Sequence, residues 1–464
     1  MRIYSLLFTT FSLCMTFFAA QASASYTLPE YQKITLDNGL TVYLMEQHEV
    51  PLIDVNIVVK AGAINDSIAG LAYLTAESLP LGTKHKSKAE INSAVDFIGA
   101  TISASAGTES SYLESSFAKK DQKVMLALLK DIIINPKFSD DEFNKKKKQH
   151  LLALEQSKES PKSVINNYVK EMVFAQSSYN AITAGDTNSI EKIRLNDVKA
   201  FHQQWYQPAN SAIVVVGDFQ SKAMLQQIKS LFSAWKNHSK LTPTATAIVQ
   251  PKPLTSAKVL LVNKDDAIES TFAISGIGIA RNTPDLVGIS VINTILGGRF
   301  TSWLNDELRV NSGLTYGARS NFTNYSQSGS FAISSFTKTA TTIEAIDLAL
   351  KTYHRLWQKG IDEKTLASAK AYVKGKFPPK FETSQDLSNL LGQMYSYNFD
   401  ESYINTFEQQ VNSLTVAKTQ QLISKYFPKE NLQMVIIGKA SELQDVVGKY
   451  GDIQQVNIKD TATQ

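Results

Sequence analysis

Side chains that could bind a metal ion or attack a carbonyl are scarce in this 464-residue sequence. The six histidines are His48, His85, His150, His202, His238 and His354, and no two of them are four residues apart. Cys14 is the single cysteine. Zinc in proteins is held mainly by histidine and cysteine, and two histidines on one helix face need a spacing of about four residues. The sequence therefore predicts no zinc site and no thiolate nucleophile, and we expect His85 and His150 to be solvated.

A different chemistry is available in residues 308–316, which read LRVNSGLTY. Arg309 and Tyr316 would offer a guanidinium and a hydroxyl, both of which are donors suited to a peptide carbonyl or to the oxyanion formed when water attacks it. Spacing alone favours a structural alternative, in which Arg309 pairs with Asp306 or Glu307 and Tyr316 packs on a sheet. The segment thus predicts either a donor pair for acyl chemistry or an ordinary surface turn.

The elements around these residues recur along the chain. Three pairs of segments repeat in the same order at an offset of roughly 220 residues: 113–119 and 332–338, 138–143 and 361–366, and the strand-like runs 213–216 and 434–437. Before the first pair, apolar and polar residues alternate from Gly99 and from Gly313, which predicts half-buried strands. The second pair places an acid-rich turn before a helix, as the helix dipole prefers. Three matches in one order predict a tandem duplication.

Strands and helices interleave in each half without the regular alternation of a parallel α/β protein. We therefore predict an α+β protein with two tandem homologous domains, each an antiparallel-rich sheet packed with helices. The first domain would span residues 25–236 and the second residues 258–460. Residues 237–257 are rich in Thr, Ala, Lys and Pro and are typical of a linker.

The first 24 residues have the pattern of a secretory signal peptide. Arg2 precedes an apolar run that is too short for a typical membrane-spanning helix, and Ala24 ends a small-residue cleavage site. An uncleaved anchor is the alternative, but no later segment is apolar enough for stable membrane insertion. The 47 basic and 43 acidic residues are dispersed, and the run from Lys145 to Lys148 is typical of a solvated helix face. We expect a periplasmic protein that does not bind nucleic acid.

The first-half segment GLAYLTAESLPLGT and the second-half segment SGLTYGARSNF resemble motifs of the M16 (pitrilysin/insulinase-type) metallopeptidase family. The resemblance extends over nearly the whole chain after the first 24 residues. In that family an inverted motif, H-x-x-E-H, presents two zinc-binding histidines and a general-base glutamate on one helix. A gapless alignment puts Tyr73 at the first histidine, Ala76 at the glutamate and Glu77 at the second histidine. The resemblance therefore implies a degenerate zinc motif.

The family's third protein ligand is a glutamate on a later helix, and the register of this sequence puts Ala153 at that position. Glu155 is two residues away, on the wrong face of a helix. The resemblance implies that this chain has no metal and no other cofactor, with zinc only in a partner subunit. In the family an Arg…Gly-Leu-x-Tyr signature reaches across a chamber to the zinc site of the opposing domain. That role falls to Arg309 and Tyr316, which favours the donor pair over the surface turn.

Some bacterial M16 enzymes divide the work between two homologous chains, and this sequence is similar to the non-catalytic one. The resemblance implies a clam-like heterodimer with a zinc-bearing M16 homologue that binds and helps to cleave unfolded peptides, so this chain alone would not be an enzyme. Three alternatives stay open: a stand-alone peptide-binding or chaperone-like periplasmic protein, a structural core subunit of a larger complex, and an active zinc metalloendopeptidase whose ligands lie elsewhere.

Overall fold

The computed structural model describes residues 26–238 and 248–460. The expected signal peptide, residues 1–24, lies outside the described residues, as do residues 239–247 of the expected linker. Among the helices that are described, none is both long and apolar enough to cross a membrane.

Two six-stranded sheets account for the strands of the described residues. The first sheet contains β1 (Gln32–Thr35), β2 (Thr41–Glu46), β3 (Leu52–Val59), β4 (Thr101–Ala106), β5 (Ser111–Ala118) and β6 (Ser211–Gly217). The second contains β7 (Lys258–Asn263), β8 (Glu269–Ile277), β9 (Ala318–Asn324), β10 (Gly329–Lys338), β11 (Gln433–Gly438) and β12 (Asp452–Asn457). Their orders are β1-β2-β6-β3-β5-β4 and β12-β7-β11-β8-β10-β9.

The two sheets share one plan. In each, the third strand (β6 or β11) runs parallel to the second strand and antiparallel to the fourth. The repeated runs 213–216 and 434–437 fall in these third strands, and the repeated segments 113–119 and 332–338 begin in the fifth strands, β5 and β10. The prediction of two homologous α+β domains is therefore confirmed, while their stated limits stay a prediction.

The sheets differ at one edge, where the outermost strand comes from opposite ends of the described chain. β1 pairs antiparallel with β2, whereas β12 pairs parallel with β7. The strand expected from Gly313 also begins later than predicted. Gly313 has a φ of +66°, and β9 starts only at Ala318. A turn therefore precedes this strand, and it carries Tyr316.

Helices cover the sheets and fill the connections. In the first half these are α1 (Leu71–Ser78), α2 (Lys88–Ile98), α3 (Gln122–Ile134), α4 (Asp140–Ser157), α5 (Pro161–Phe174), α6 (Thr187–Lys192), α7 (Leu195–Trp205) and α8 (Ser221–Phe232). In the second half they are α9 (Leu286–Asn293), α10 (Trp303–Asn305), α11 (Thr342–Gln358), α12 (Glu363–Lys376), α13 (Ser384–Tyr397), α14 (Ser402–Asn405), α15 (Phe407–Ser413), α16 (Val416–Tyr426) and α17 (Ala440–Val447). Two π-helical segments, Thr294–Gly298 and Asp306–Asn311, flank α10. The repeated acidic turns lie at the starts of α4 and α12, as predicted.

One helix of each half packs on the sheet of the other half. α5 packs on β8 and β11, and α13 packs on β3 and β6. Val169 of α5 is buried in one cluster with Val435 of β11. Gly392 of α13 lies so close to β3 that a Cβ there would be 3.1 Å from the Asn56 amide nitrogen. Because the exchange is reciprocal, the two halves share buried apolar surface and cannot separate without exposing it.

The hairpin turns of the two sheets also meet. Glu109, between β4 and β5, accepts the backbone N–H of Ser326 at 2.9 Å and the hydroxyl of Tyr179 at 3.1 Å. The Tyr179 ring stacks on Tyr325 with centroids 4.6 Å apart. These contacts join the β4–β5 turn to the β9–β10 turn, so the contact between the halves has a polar part as well as an apolar one.

Candidate functional site

Helix α1 carries three of the expected zinc-motif positions, and Asp66 and Gly70 fix its start. The Asp66 carboxylate accepts the backbone N–H groups of Gly70 at 2.9 Å and of Ala72 at 2.7 Å, which satisfies donors that the first turn of a helix leaves free. Gly70 has a φ of +91°, a conformation that glycine adopts readily and other residues rarely do. A Cβ at this position would lie 2.5 Å from Ile190 Cδ1. These contacts therefore set the direction in which α1 presents its side chains.

Tyr73 of α1 stacks on His150 of α4, with ring centroids 4.4 Å apart and planes 30° apart. His150 Nε2 lies 2.7 Å from the Ala184 carbonyl oxygen, which can only accept, so Nε2 carries the proton of the neutral ring. Burial is the main cause that lowers the pKa of His150. The expectation that His150 is solvated is wrong: it is 7% exposed, because Tyr73 covers its ring. His85 is mostly exposed, as expected.

Glu77, one turn further along α1, forms an ion pair with Lys146 of α4. Both charged side chains are about a quarter exposed. Lys146 precedes His150 by one helical turn, so Lys146 and His150 of α4 face Tyr73 and Glu77 of α1. The ammonium of Lys146 therefore neutralises the carboxylate that the sequence places at a metal-ligand position.

Ala76 and Ala153 lie on the same two helices. Ala76 is fully buried. Ala153 is exposed on α4, seven residues after Lys146 and so about two turns further along the same face. A methyl group can neither bind a metal ion nor accept a proton from water. Both positions therefore lack the functional groups that the zinc motif requires.

The side chains between α1 and α4 do not fit a zinc ion. Zinc takes three or four His, Cys or carboxylate ligands at about 2.0–2.3 Å. Here the Glu77 carboxylate is paired with an ammonium, and His150 Nε2 donates to a carbonyl. Within residues 26–238 and 248–460, no three His, Cys, Asp or Glu side chains are grouped so that they could hold a metal ion.

Arg309 lies in the π-helical segment Asp306–Asn311 of the second half, and Tyr316 lies on the turn between that segment and β9. The guanidinium carbon of Arg309 is 4.7 Å from the centre of the Phe300 ring. In the described part of the chain Arg309 forms no ion pair with Asp306 or Glu307, and Tyr316 is 82% exposed. The structure thus shows neither contact of the structural alternative.

The turn that presents Tyr316 is tied to β10. Ser335 Oγ lies 3.1 Å from Thr315 Oγ1 and 3.0 Å from the Gly317 carbonyl oxygen. Thr315 and Ser335 are both buried. Tyr316 is therefore an exposed side chain on a backbone that is fixed on both sides, which is the preorganisation that a donor to a developing charge needs.

The two candidate groups are in separate halves of the molecule. Among the described residues, no hydrogen bond, ion pair or ring contact joins Arg309 or Tyr316 to Tyr73, Ala76 or Glu77. The structure therefore does not assemble the donor pair and the zinc-motif positions into one site by direct contact.

Two family models match the chain. The model described as "Insulinase (Peptidase family M16)" matches residues 41–187, and the model described as "Peptidase M16 inactive domain" matches residues 192–373. Together the two matches cover well over half of the sequence. The chain belongs to peptidase family M16.

Similar proteins and structures agree with this assignment. The "Non-peptidase homolog YmxG" of Helicobacter pylori is 24% identical over 434 residues, which cover 91% of this chain and 96% of that protein. The "Zinc protease PqqE" of the same organism is 24% identical over 424 residues, covering 89% and 94%. The solved "peptidase M16 inactive domain" from Pseudomonas fluorescens is 25% identical with a TM-score of 0.82, covering 88% of this chain and 98% of that chain. The M16 fold expected from the sequence is confirmed.

Sequence reasoning missed Lys146 and His150 as parts of the M16 motif region. A signal was present, because these two residues are four apart, like the two motif positions on α1 that they contact. Phe300 was also missed, since it lies in the turn between the π-helical segment Thr294–Gly298 and α10, and its contact with Arg309 depends on the conformation of that turn.

Proposed function

We propose that this chain is the non-catalytic subunit of a two-chain M16 peptidase, in which it pairs with a zinc-bearing M16 homologue and helps that partner to cleave peptides. Arg309 and Tyr316 are its contribution to the partner's site. The observation that carries the proposal is Tyr316, which is 82% exposed on a turn fixed by the buried residues Thr315 and Ser335. An exposed hydroxyl on a rigid backbone is suited to a ligand that comes from outside the chain.

The proposed role of the donor pair is electrostatic. When water adds to a peptide carbonyl in the partner's site, negative charge develops on the carbonyl oxygen, and donors that are already in place stabilise it. The Tyr316 hydroxyl would donate one hydrogen bond. Arg309, held over the Phe300 ring, would add N–H donors and a positive charge. One preorganised donor of this kind typically lowers the barrier by about 2.7–4 kcal/mol.

The first half of the chain supports a division of labour. The space between α1 and α4 holds the Glu77–Lys146 ion pair and the Tyr73–His150 stack, so the water-activating groups must come from another chain. The proposal needs a non-catalytic and a zinc-bearing protein in one organism. Helicobacter pylori has a "non-peptidase homolog" and a "zinc protease" that both resemble this chain, which supports the proposal.

Peptide binding and location complete the proposal. β4 and β9 are the outer strands of their sheets, and each leaves one row of backbone donors and acceptors unpaired within the sheet. An extended, unfolded peptide could add to such an edge as a further strand. The signal-peptide pattern of residues 1–24 supports a periplasmic location for the proposed activity.

A peptidase assay with the candidate partner tests the proposal. The partner is an M16 protein from the same genome with an intact H-x-x-E-H motif, and the substrate is an unfolded peptide with a fluorescent reporter. We expect no cleavage by this chain alone and at least about tenfold faster turnover by the mixture than by the partner alone. Arg309→Ala and Tyr316→Phe should each lower the turnover of the mixture at least about tenfold. The size of the complex in gel filtration should stay unchanged.

Lys222→Ala is the matched control, because it removes an exposed cation on α8, in the other half of the chain. It should leave turnover unchanged. A mixture no faster than the partner alone, or full turnover with both donor variants, would overturn the proposal. Peptide binding without any gain in turnover would instead support the stand-alone peptide-binding alternative.

A further inference from the structure

A cleft of about 670 Å³ opens in the second half between α9, α12 and β9. Four cationic side chains line it, Arg299, Arg319, Lys376 and Lys380, and no acidic side chain is among its described lining residues. Much of the remaining wall is serine, threonine and asparagine. The volume is within the usual range of about 300–1,000 Å³ for ligand pockets in proteins. The charge of the wall therefore points to an anionic occupant.

None of these cations has a counter-charge in the described part of the chain. Within the described residues none of the four takes part in an ion pair. Arg299 Nη1 donates to Ser368 Oγ at 3.1 Å, but Arg299 Nε is buried without a hydrogen-bond partner. A buried donor that lacks an acceptor destabilises the free protein, so an anion that accepted from it would bind favourably. Burial lowers the pKa of Lys380, and the nearby Arg281 lowers it further, which is the behaviour of an ammonium that lacks an anion.

The cleft occupies the place in the second half that the degenerate zinc motif occupies in the first. α1 follows β3 as α9 follows β8, and α4 and α12 both begin at the repeated acidic turns. α1 contacts α4, and α9 contacts α12. In the first half the Glu77–Lys146 ion pair and a ring stack fill the space between the paired helices. In the second half the corresponding space is open and basic.

The surroundings of the cleft suit a peptide. Phe300 lines the cleft and its ring also contacts the Arg309 guanidinium, so the cleft borders one member of the proposed donor pair. Arg319 projects from β9, an outer strand whose free edge could pair with an extended backbone. The cations are spread over β9, the end of a π-helical segment, the end of α12 and the 3-10 turn Pro378–Phe381 rather than converging on one point, which matches carboxylates spaced along a chain.

We propose that this cleft binds the carboxylates of an acidic peptide, so that the second half selects peptides rich in Asp and Glu. The Arg299 and Arg319 guanidinium groups match carboxylates in a planar, two-point geometry, and Lys376 and Lys380 add charge along the cleft. The inference rests on the proposed function for the statement that the ligand is a peptide substrate.

Calorimetric titration of this chain tests the inference. The probe is a short peptide of alternating Glu and Ala, and its reference is the same peptide with Gln in place of Glu. We expect the Glu peptide to bind at least about tenfold more tightly, with an affinity that falls as salt is raised. The double variant Arg319→Gln, Lys376→Gln should weaken binding of the Glu peptide about tenfold.

The double variant Lys222→Gln, Lys229→Gln is the control, because it removes two exposed cations of α8 and gives the same change in net charge. It should leave the affinity unchanged. Equal affinities for the two peptides, or equal losses in the two double variants, would overturn the inference. Tripolyphosphate that binds the cleft while the Glu peptide fails to displace it would also overturn it, since the cleft would then be a phosphate site.

Failure here is distinguishable from failure of the proposed function. If the partner is activated but shows no preference for acidic peptides and the Glu peptide does not bind, the cleft inference alone is wrong. If the Glu peptide binds and the cleft variant loses it, while no partner is activated, the proposed two-chain peptidase is wrong and the cleft is the site of a stand-alone peptide-binding protein.

Discussion

Lys146 forms an ion pair with Glu77 at the position where the M16 motif would place a histidine and its metal ion. Because Lys146 belongs to α4, the Glu77 carboxylate has a cationic neighbour that does not depend on a bound metal ion. Such a contact ties α1 to α4 without a metal ion. Protein side chains alone therefore maintain the contact between these two helices of the M16 fold.

Lys146→Ala should lower the free energy of unfolding by about 1–3 kcal/mol, because it leaves a largely buried carboxylate without its cation. The combined variant Glu77→Gln, Lys146→Met should recover most of the loss. Lys148→Ala is the control on the exposed side of the same helix. Urea unfolding measures the free energy of unfolding of these three variants. Equal losses in Lys146→Ala and Lys148→Ala would show that the ion pair does not stabilise the fold.

The purified protein without residues 1–24 should contain no stoichiometric zinc. The reason is that Tyr73, Ala76 and Ala153 offer no imidazole or carboxylate, and Glu77 is already paired. Inductively coupled plasma mass spectrometry after dialysis measures the metal content. One equivalent of zinc that survives dialysis and disappears in Glu77→Gln would show that the site still binds metal.

A partly buried histidine, His202, predicts how stability depends on pH. The His202 ring stacks on Tyr206 with centroids 4.8 Å apart, meets the edge of Phe138 at 5.3 Å, and donates through Nε2 to the Ile133 carbonyl at 2.9 Å. Burial lowers the pKa of His202 to about 4, whereas the unfolded chain titrates near about 6.5. The unfolded state therefore binds the proton more readily between these two values.

The free energy of unfolding should thus be at its full value above about pH 6.5 and should fall as the pH drops towards about 4, by up to about 1.4 kcal/mol per pH unit from this residue. His202→Gln should reduce that slope. Thermal or urea unfolding between about pH 4 and pH 7 measures this dependence of the free energy of unfolding on pH. An unchanged slope in His202→Gln would mean that this residue is not the group that titrates.

The sequence repeat was enough to predict equivalent strands, because the runs 213–216 and 434–437 are both unbroken apolar stretches closed by a glycine, as is typical of a fully buried strand. It could not predict the exchange of α5 and α13. An apolar helix face is compatible with either sheet, and the choice depends on how the halves dock. β12 was not foreseen either, since its residues DIQQVN are mostly exposed and show no apolar alternation.

The candidate site was predictable only in part, because some of its contacts depend on how helices that are distant in sequence pack together. The motif positions Tyr73, Ala76 and Glu77 can be read from local sequence because helix spacing fixes them. For the partners that α4 supplies, the only local signal is the four-residue spacing of Lys146 and His150, because a lysine run is otherwise typical of a solvated helix face. His150 is an example: it closely follows the run from Lys145 to Lys148 in sequence, and its stacking contact with Tyr73 comes from another helix.

The last prediction concerns the turn that holds Tyr316. Ser335 lies within hydrogen-bond distance of Thr315 Oγ1 and of the Gly317 carbonyl, so it acts on Tyr316 through the backbone on either side. Ser335→Ala should loosen this turn and lower the mixture's peptidase turnover at least about fivefold, because a donor that is displaced by a fraction of an ångström no longer meets the developing charge. The melting temperature should change little.

Ser335 should act only through Tyr316, and a double-variant cycle checks this. Once Tyr316→Phe has removed the hydroxyl, adding Ser335→Ala should cost nothing further, whereas two independent effects would multiply. Ser275→Ala is the control, because Ser275 is equally buried in the same sheet and donates to the Gln433 carbonyl at 2.8 Å, away from the turn. If Ser275→Ala lowers turnover as much as Ser335→Ala does, general destabilisation explains the loss and the turn has no special role.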